Sequence, residues 1–324
     1  MAGNTNFSTL ISTTLQHLPK EIFSNVMTNN ALLNILQQSG NIKIVPGGRQ
    51  FTHPLRHKLN NTFAARSKTQ VIPLTPQDHL TRSTWEVRII DGSISLNEVE
   101  LAMNSGDREK LIDLAEEMKD SAVESLTEIM GDQIFNTNVD TTVDIDSIPR
   151  IIAETPTGQT DVGGITNDTA SGNSYWANQT YATTVTGFAT SQEGLNAMET
   201  LLNSCIFGRR GPTVIITTKS IYGKFGLALQ GNQRYTNSDT ASGGFRNLLY
   251  TQIPVYFDDN CPTGDLFMID TSAIRLQVLE QMNMKIGEFK EAEAQLIKTA
   301  LVSIACNLTA GERRTSGRLN SITG

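Results

Sequence analysis

Cysteine and histidine are the scarce residues of this chain. Its 324 residues hold three cysteines, Cys205, Cys261 and Cys306, widely spaced and odd in number. That pattern excludes a disulfide-stapled secreted scaffold, and the lack of a CxxC pair removes the usual zinc signature. The four histidines, His17, His53, His57 and His79, all fall in the first quarter. His53 and His57 have the spacing that suits a metal on one helix face. Pro54 lies between them, however, and Phe51, Thr52 and Leu55 read as extended chain, where four residues span roughly 13 Å. Both are read as ordinary surface histidines, and no metal site is expected.

Long apolar runs are missing as well. None approaches the roughly 20 residues needed to cross a bilayer, so no membrane partner is expected. Met1 to Leu10 shows no basic region followed by an apolar stretch, which predicts a chain made and folded in a cytosol. Charge is thin: 18% of residues carry it, with a formal net of -7, while Ser, Thr, Asn and Gln number 102. Highly charged disorder is excluded, and so is a strongly basic nucleic-acid binder judged on total charge.

Catalytic motifs are equally absent. Gly223-Lys224 is followed by Phe225, no GxxxxGK[ST] or GxGxxG occurs, and no serine lies in GxSxG context. Gly47-Gly48 and Gly163-Gly164 read as turns that need positive φ. Carboxylates are plentiful, but separation in sequence carries no geometry. No catalytic residue and no cofactor is assigned.

What is present is a sharp partition of charge. A long helix is predicted from about Asp107 to Phe135, with Leu111, Ala115, Met118, Ala122, Leu126 and Ile129 as its apolar stripe. Glu109, Asp113, Glu117, Asp120, Glu124 and Glu128 form an acidic stripe opposite. A solvated face is the plain reading of such a stripe. Residues 97–136 carry eleven acidic and three basic side chains. Residues 49–88 carry seven basic ones (Arg49, Arg56, Lys58, Arg66, Lys68, Arg82, Arg88) against Asp78 and Glu86. Pro54, Pro73 and Pro76 interrupt that region, which reads as a long extended hairpin or arm. An isolated hairpin is marginal in water, so the arm has to lie on its own body or on a neighbour. Arg56, Lys58, Arg66 and Lys68 facing Glu109, Asp113, Glu117, Asp120 and Glu124 between subunits is the interface hypothesis that follows.

Other elements are read from periodicity and turn residues. Pro19 to Leu36 is an amphipathic helix that Asn29-Asn30 can interrupt. Trp85, Val87 and Ile89 alternate with polar residues in a half-buried strand. Thr155 to Thr184 reads as loops anchored by Tyr175 and Trp176. Ser191 to Phe207 is a helix, Thr213 to Thr217 a strand, and Ser220 is expected to cap a further helix bearing Tyr222, Phe225 and Leu229. Ile253 to Phe257 and Leu266 to Ile269 are short buried strands joined by a turn through Asp258 and Asp259, and Gln295 to Leu308 is a long buried strand. Arg313, Arg314 and Arg318 can touch phosphate, touch a neighbouring subunit, or form a solvated tail.

This order of elements resembles the major capsid proteins of tailed double-stranded DNA bacteriophages, with their Hong Kong 97-type shell fold. The residues that carry the resemblance start with Ser83-Thr84-Trp85-Glu86-Val87, Asn97-Glu98 and Asn104-Ser105-Gly106. They continue with Gly163-Gly164-Ile165, Trp176, Gly211-Pro212-Thr213-Val214-Ile215, Ile253-Pro254-Val255-Tyr256 and Cys261-Pro262, and end with Asn307-Leu308-Thr309, Arg313-Arg314 and Gly317-Arg318-Leu319.

The resemblance implies an α+β chain with an N-terminal arm (1–48), an extended E-loop hairpin (49–88), a P-domain with a long spine helix (89–146 and 275–324) and an inserted A-domain (147–274). It implies a non-enzymatic virion protein, assembled in the host cytoplasm into hexamers and pentamers that close an icosahedral shell around phage genomic DNA. A portal and separate scaffolding or decoration proteins are the implied partners. With about fifty residues before the E-loop, a separate scaffolding protein or none is expected in place of a long cleaved extension, and neither Lys58 nor Lys68 is singled out for a covalent crosslink. An encapsulin-type nanocompartment shares the fold and is the alternative. A soluble α/β enzyme with an unrecognised carboxylate site is the alternative from another class.

Overall fold

The computed structural model describes residues 30–98, 121–122, 124–126, 128–157, 159–167, 173–186, 188, 193–230, 248–291 and 296–323. The expectations for 1–29, and for the helix over 107–120, lie outside the described residues.

A single long strand, Ile297–Ala310, organises the first half of the fold. Along one edge it pairs antiparallel with Arg88–Asn97, from Cys306↔Arg88 to Ile297↔Asn97. Along the other edge three strands follow one another, Ile274–Leu279, Lys285–Ile286 and Lys290–Glu291. Ile42–Val45 adds in parallel to the first of these. The strand begins half-buried, with Leu301 64% exposed, and from Ile304 to Ala310 it is wholly buried.

Helical residues up to 134 pack on this sheet through Leu126, Met130 and Ile134, an i, i+4, i+8 stripe. Ile129 is 41% exposed, so the inward stripe runs through Met130 and not through Ile129 as periodicity suggested. Ala31–Gln38 is a separate short helix. Asn30 caps it, its side chain accepting from the N–H groups of Leu32 and Leu33.

The second sheet is mixed, and its central strands Val214–Thr217 and Leu266–Ile269 are buried on both faces. Val214, Ile216, Phe267 and Ile269 join the core of the first sheet. Ile215, Leu266 and Met268 join a second core under the helices Glu193–Cys205 and Lys219–Gln230. One sheet therefore serves two cores, and a continuous apolar run is what that position requires. Ile253–Phe257 pairs with Val214–Thr217, yet only Val255 on it is buried, and Tyr256 and Phe257, on opposite faces, are each 38% exposed. Thr218, not Ser220, caps the helix over 219–230: its hydroxyl faces the Ile221 N–H at 3.5 Å, while Ser220 already lies within the helix.

The tryptophan strand ends at Glu86, and the next begins at Arg88. The break at Val87 reverses which parity faces inward. Ser83 and Trp85 point in before it, whereas after it Ile90 is buried and Ile89 is 52% exposed.

The C-terminal arginines are no solvated tail. Arg313 is fully buried, its Nε donating to the Ile151 carbonyl at 2.6 Å and its Nη2 to Asn178 Oδ1 at 3.1 Å, with Trp176 5.8 Å away. Burial pulls its pKa down to about 9, which still leaves it charged at neutral pH. Arg318 pairs with Asp265 at 2.7 Å. Trp176 anchors its loop as expected, donating from Nε1 to the Val162 carbonyl at 2.8 Å.

Candidate interaction surface

The arm begins as a hairpin, Gln50–Arg56 against Leu80–Glu86, in the extended register that Pro54 and its neighbours suggested. Its base is pinned to the body. Phe51 and Trp85 are buried, Ser83 Oγ donates to the Ala310 carbonyl at 3.2 Å, and the Thr84 N–H donates to Gly163 at 2.8 Å. Gly163 and Gly164 make the turn beneath it with φ of 64° and 69°. A Cβ on Gly163 would lie 2.8 Å from the Trp85 ring, so glycine is required there by both conformation and space.

His53 is a core residue and not a surface one. It is 7% exposed, and its Nε2 lies 2.9 Å from Thr309 Oγ1. Burial, and then the nearby Arg275 charge, hold its pKa below 6.5, so the fold keeps the ring neutral. The unfolded chain takes up a proton near pH 6.5 and the folded chain does not. The stability linked to His53 is therefore complete above that pH and is lost as pH falls toward the folded value. A His53→Gln variant is expected to lose less of its urea midpoint than the parent on acidification from about pH 7.5 to 5.

Beyond the base, residues 57–79 contain no strand. Leu59 and Phe63 are each 84% exposed, Val71 85% and Leu74 92%. These four large apolar side chains stand in solvent on one excursion of the chain.

Where the arm leaves the body, a cavity of about 620 Å³ opens, lined by Arg56, Lys58, Arg210, Arg275, Glu312 and Arg314 among others. Arg210 donates to Glu312 at 2.9 Å. Arg314 stacks on Phe207, 4.0 Å from the ring centroid, and His57 lies against Tyr175 at 5.2 Å. Among the described residues, Arg56, Lys58, Arg275 and Arg314 form no ion pair.

Of the interface residues expected from sequence, Arg56 and Lys58 are exposed and meet in this cavity. Arg66 and Lys68 lie farther out on the arm, Arg66 donating to the Thr62 carbonyl at 2.6 Å. Glu124 is exposed on a helical stretch, whereas Glu109, Asp113, Glu117 and Asp120 lie outside the described residues. Sequence reasoning missed Arg275 and Arg210. Only the pairing Arg275↔Thr309 and the 206–210 turn bring them to the arm.

Among the described residues no His, Cys, Asp and Glu cluster could hold a metal. The cysteines are free and buried, and burial pushes the Cys205 and Cys306 thiols up to about 12, which leaves them unreactive at neutral pH. Asp258, in its turn, is also pushed up by burial, offset by N–H groups of Asn260, Leu32 and Ala31.

A long strand paired on both edges, a pinned arm and a two-faced second sheet define the Hong Kong 97-type shell fold, and this chain has it. The solved structures it resembles include a chain of the cyanophage A-1(L) capsid, 14% identical, with 88% of this chain and 91% of that one covered at a TM-score of 0.67. The capsid of a native GTA particle is similar at 12% identity, 89% and 90% coverage and a TM-score of 0.56. The encapsulin of Synechococcus elongatus is similar at 10% identity, 89% and 87% coverage and a TM-score of 0.53. No family model and no curated protein matches the chain.

Proposed function

We propose that this chain is the major capsid protein of a tailed double-stranded DNA phage. It is a virion protein without catalytic activity that assembles in the host cytoplasm into hexamers and pentamers of an icosahedral shell. Phage DNA is enclosed without sequence preference, and a portal and separate scaffolding or decoration proteins complete the particle. In this reading residues 1–48 are the N-terminal arm, 49–88 (the hairpin arm) the E-loop, 89–146 with 275–324 the P-domain, and 147–274 the A-domain.

The observation that carries the reading is the arm. Leu59, Phe63, Val71 and Leu74 stand in solvent on a segment that its own body does not cover, and a neighbour can cover them. In a closed symmetric assembly each copy both gives and receives an arm, so weak contacts multiply. Arg56, Lys58, Arg66 and Lys68 facing a neighbour's Glu109, Asp113, Glu117, Asp120 and Glu124 set register more than affinity, since an exposed pair is worth only about 0–1 kcal/mol.

The likeness to an encapsulin supports a second reading, a shell that holds protein cargo. Cargo decides between them. Particles from the native source that protect double-stranded DNA from nuclease support the capsid reading, and particles filled with a stoichiometric protein and no DNA overturn it.

A further inference from the structure

We propose that the cationic cavity at the root of the arm is a carboxylate receptor, filled by the acidic stretch around Glu124 of a second copy of this chain. The inference rests on the shell reading and adds Arg275 and Arg314 to the residues that hold copies together.

The cavity gathers like charge that no ion pair among the described residues matches. Arg56 and Lys58 arrive from the arm, Arg275 from the strand beside the long one, and Arg314 from the segment after it. The single carboxylate among the lining residues, Glu312, is already held by Arg210. Apolar and aromatic walls (Leu55, Tyr175, Trp176, Phe207) focus the resulting field on an incoming anion. Three of the four unmatched cations are guanidinium groups, whose fork fits a carboxylate with two parallel hydrogen bonds. Stacking on Phe207 orients Arg314 before any ligand arrives. His57 Nδ1, shielded from solvent with no partner, adds a polar atom at the same wall.

The sequence supplies the matching anion. Residues 107–124 carry seven acidic and three basic side chains, and Glu124 is exposed on its helical stretch. In its own chain the described residues beside Glu124 lie at the wrong end of the sheet. Ser121 sits beside Ser93 and Ser95, which pair with Leu301 and Thr299, whereas the cavity borders Thr309 and Gly311. From Leu301 to Thr309 the strand rises about 26 Å, too far for Glu124 to reach its own cavity. A second copy has to provide it, and the site is incomplete without that copy.

The test is charge reversal and its repair in the full-length chain. Arg275→Glu and Arg314→Glu are each expected to raise the protein concentration needed for particle formation at low salt about tenfold, and high salt is expected to shrink the difference. Arg314→Lys is expected to lose less. Glu124→Arg alone is expected to impair assembly, and combining it with Arg314→Glu to restore it to within about threefold of the parent.

Thermal unfolding of the dispersed subunits separates lost assembly from lost folding. Reversal variants that fold and assemble at the parent's concentration and salt dependence overturn the receptor and leave the shell reading intact. If the parent forms no closed particles, the shell reading fails, and the cavity is then tested alone with a labelled peptide of residues 107–124. Binding to the parent and at least tenfold weaker binding to Arg275→Glu supports the receptor. Equal binding to both, or loss of a DNA oligonucleotide but not of the peptide, overturns it.

Discussion

Trp85→Ala is expected to lower the folding stability of the dispersed subunit by about 3–5 kcal/mol, the range for removing a buried aromatic side chain. The ring is 2% exposed and fills the junction between the arm base and the Gly163-Gly164 turn. Its Nε1 donates to Ser83 Oγ at 3.2 Å, and Ser83 in turn donates to Ala310 at the end of the long strand. Removing it empties the place where three segments meet, and the turn, shaped for this ring, has no side chain of its own to collapse inward. Trp85→Phe keeps most of the buried area and gives up the Nε1 donor, so its cost is expected to be about 1–2 kcal/mol. Urea unfolding reads both, and equal midpoints for the parent and Trp85→Ala would contradict the role given to this side chain.

Arg313→Ala is expected to cost about 3 kcal/mol, with one stranded carbonyl and a cavity contributing together. The side chain passes between the short helix Ile148–Ile151 and the loop bearing Trp176 and Asn178. Its loss strands the Ile151 carbonyl, whereas Asn178 Oδ1 keeps the Ala153 N–H. Arg313→Lys preserves the charge but not the planar fork, and is expected to recover less than half of the loss. A shift in the urea midpoint of about 1–2 M in the alanine variant is the corresponding observable. An unchanged midpoint would mean that the arginine is replaceable by water.

Residues whose neighbours along the chain determine their role were legible in the sequence. The hairpin base around Pro54 and Trp85, the glycine pair at 163–164, the helix over 193–205 and the doubly buried strand at 214–217 all follow from period and turn chemistry. Where a single residue changes phase, the same reasoning failed. Val87 breaks the strand, and the pair Ile89-Ile90 gives no signal of which member faces inward. Thr218 and Ser220 are equally good caps by composition, and the end of the strand at Thr217 decides for Thr218.

Charges near an end of the chain were the least readable. For Arg313 and Arg318 the sequence left phosphate, a neighbouring subunit and a solvated tail equally open, but their partners lie far away in sequence, Ile151 and Asp265. The arm's half of the interface, Arg56 and Lys58, was visible as a local excess of charge. Arg275 joins it only through sheet register, which no local pattern encodes, and Arg314 from the segment that follows the long strand.

The central claim is that copies of this chain close into a shell, and electron microscopy of the purified full-length protein tests it most directly. The account predicts uniform closed particles, with an arm from each copy lying over its neighbour and Leu59, Phe63 and Leu74 withdrawn from solvent. A small soluble species at every protein concentration and salt, with those side chains still exposed, would contradict it.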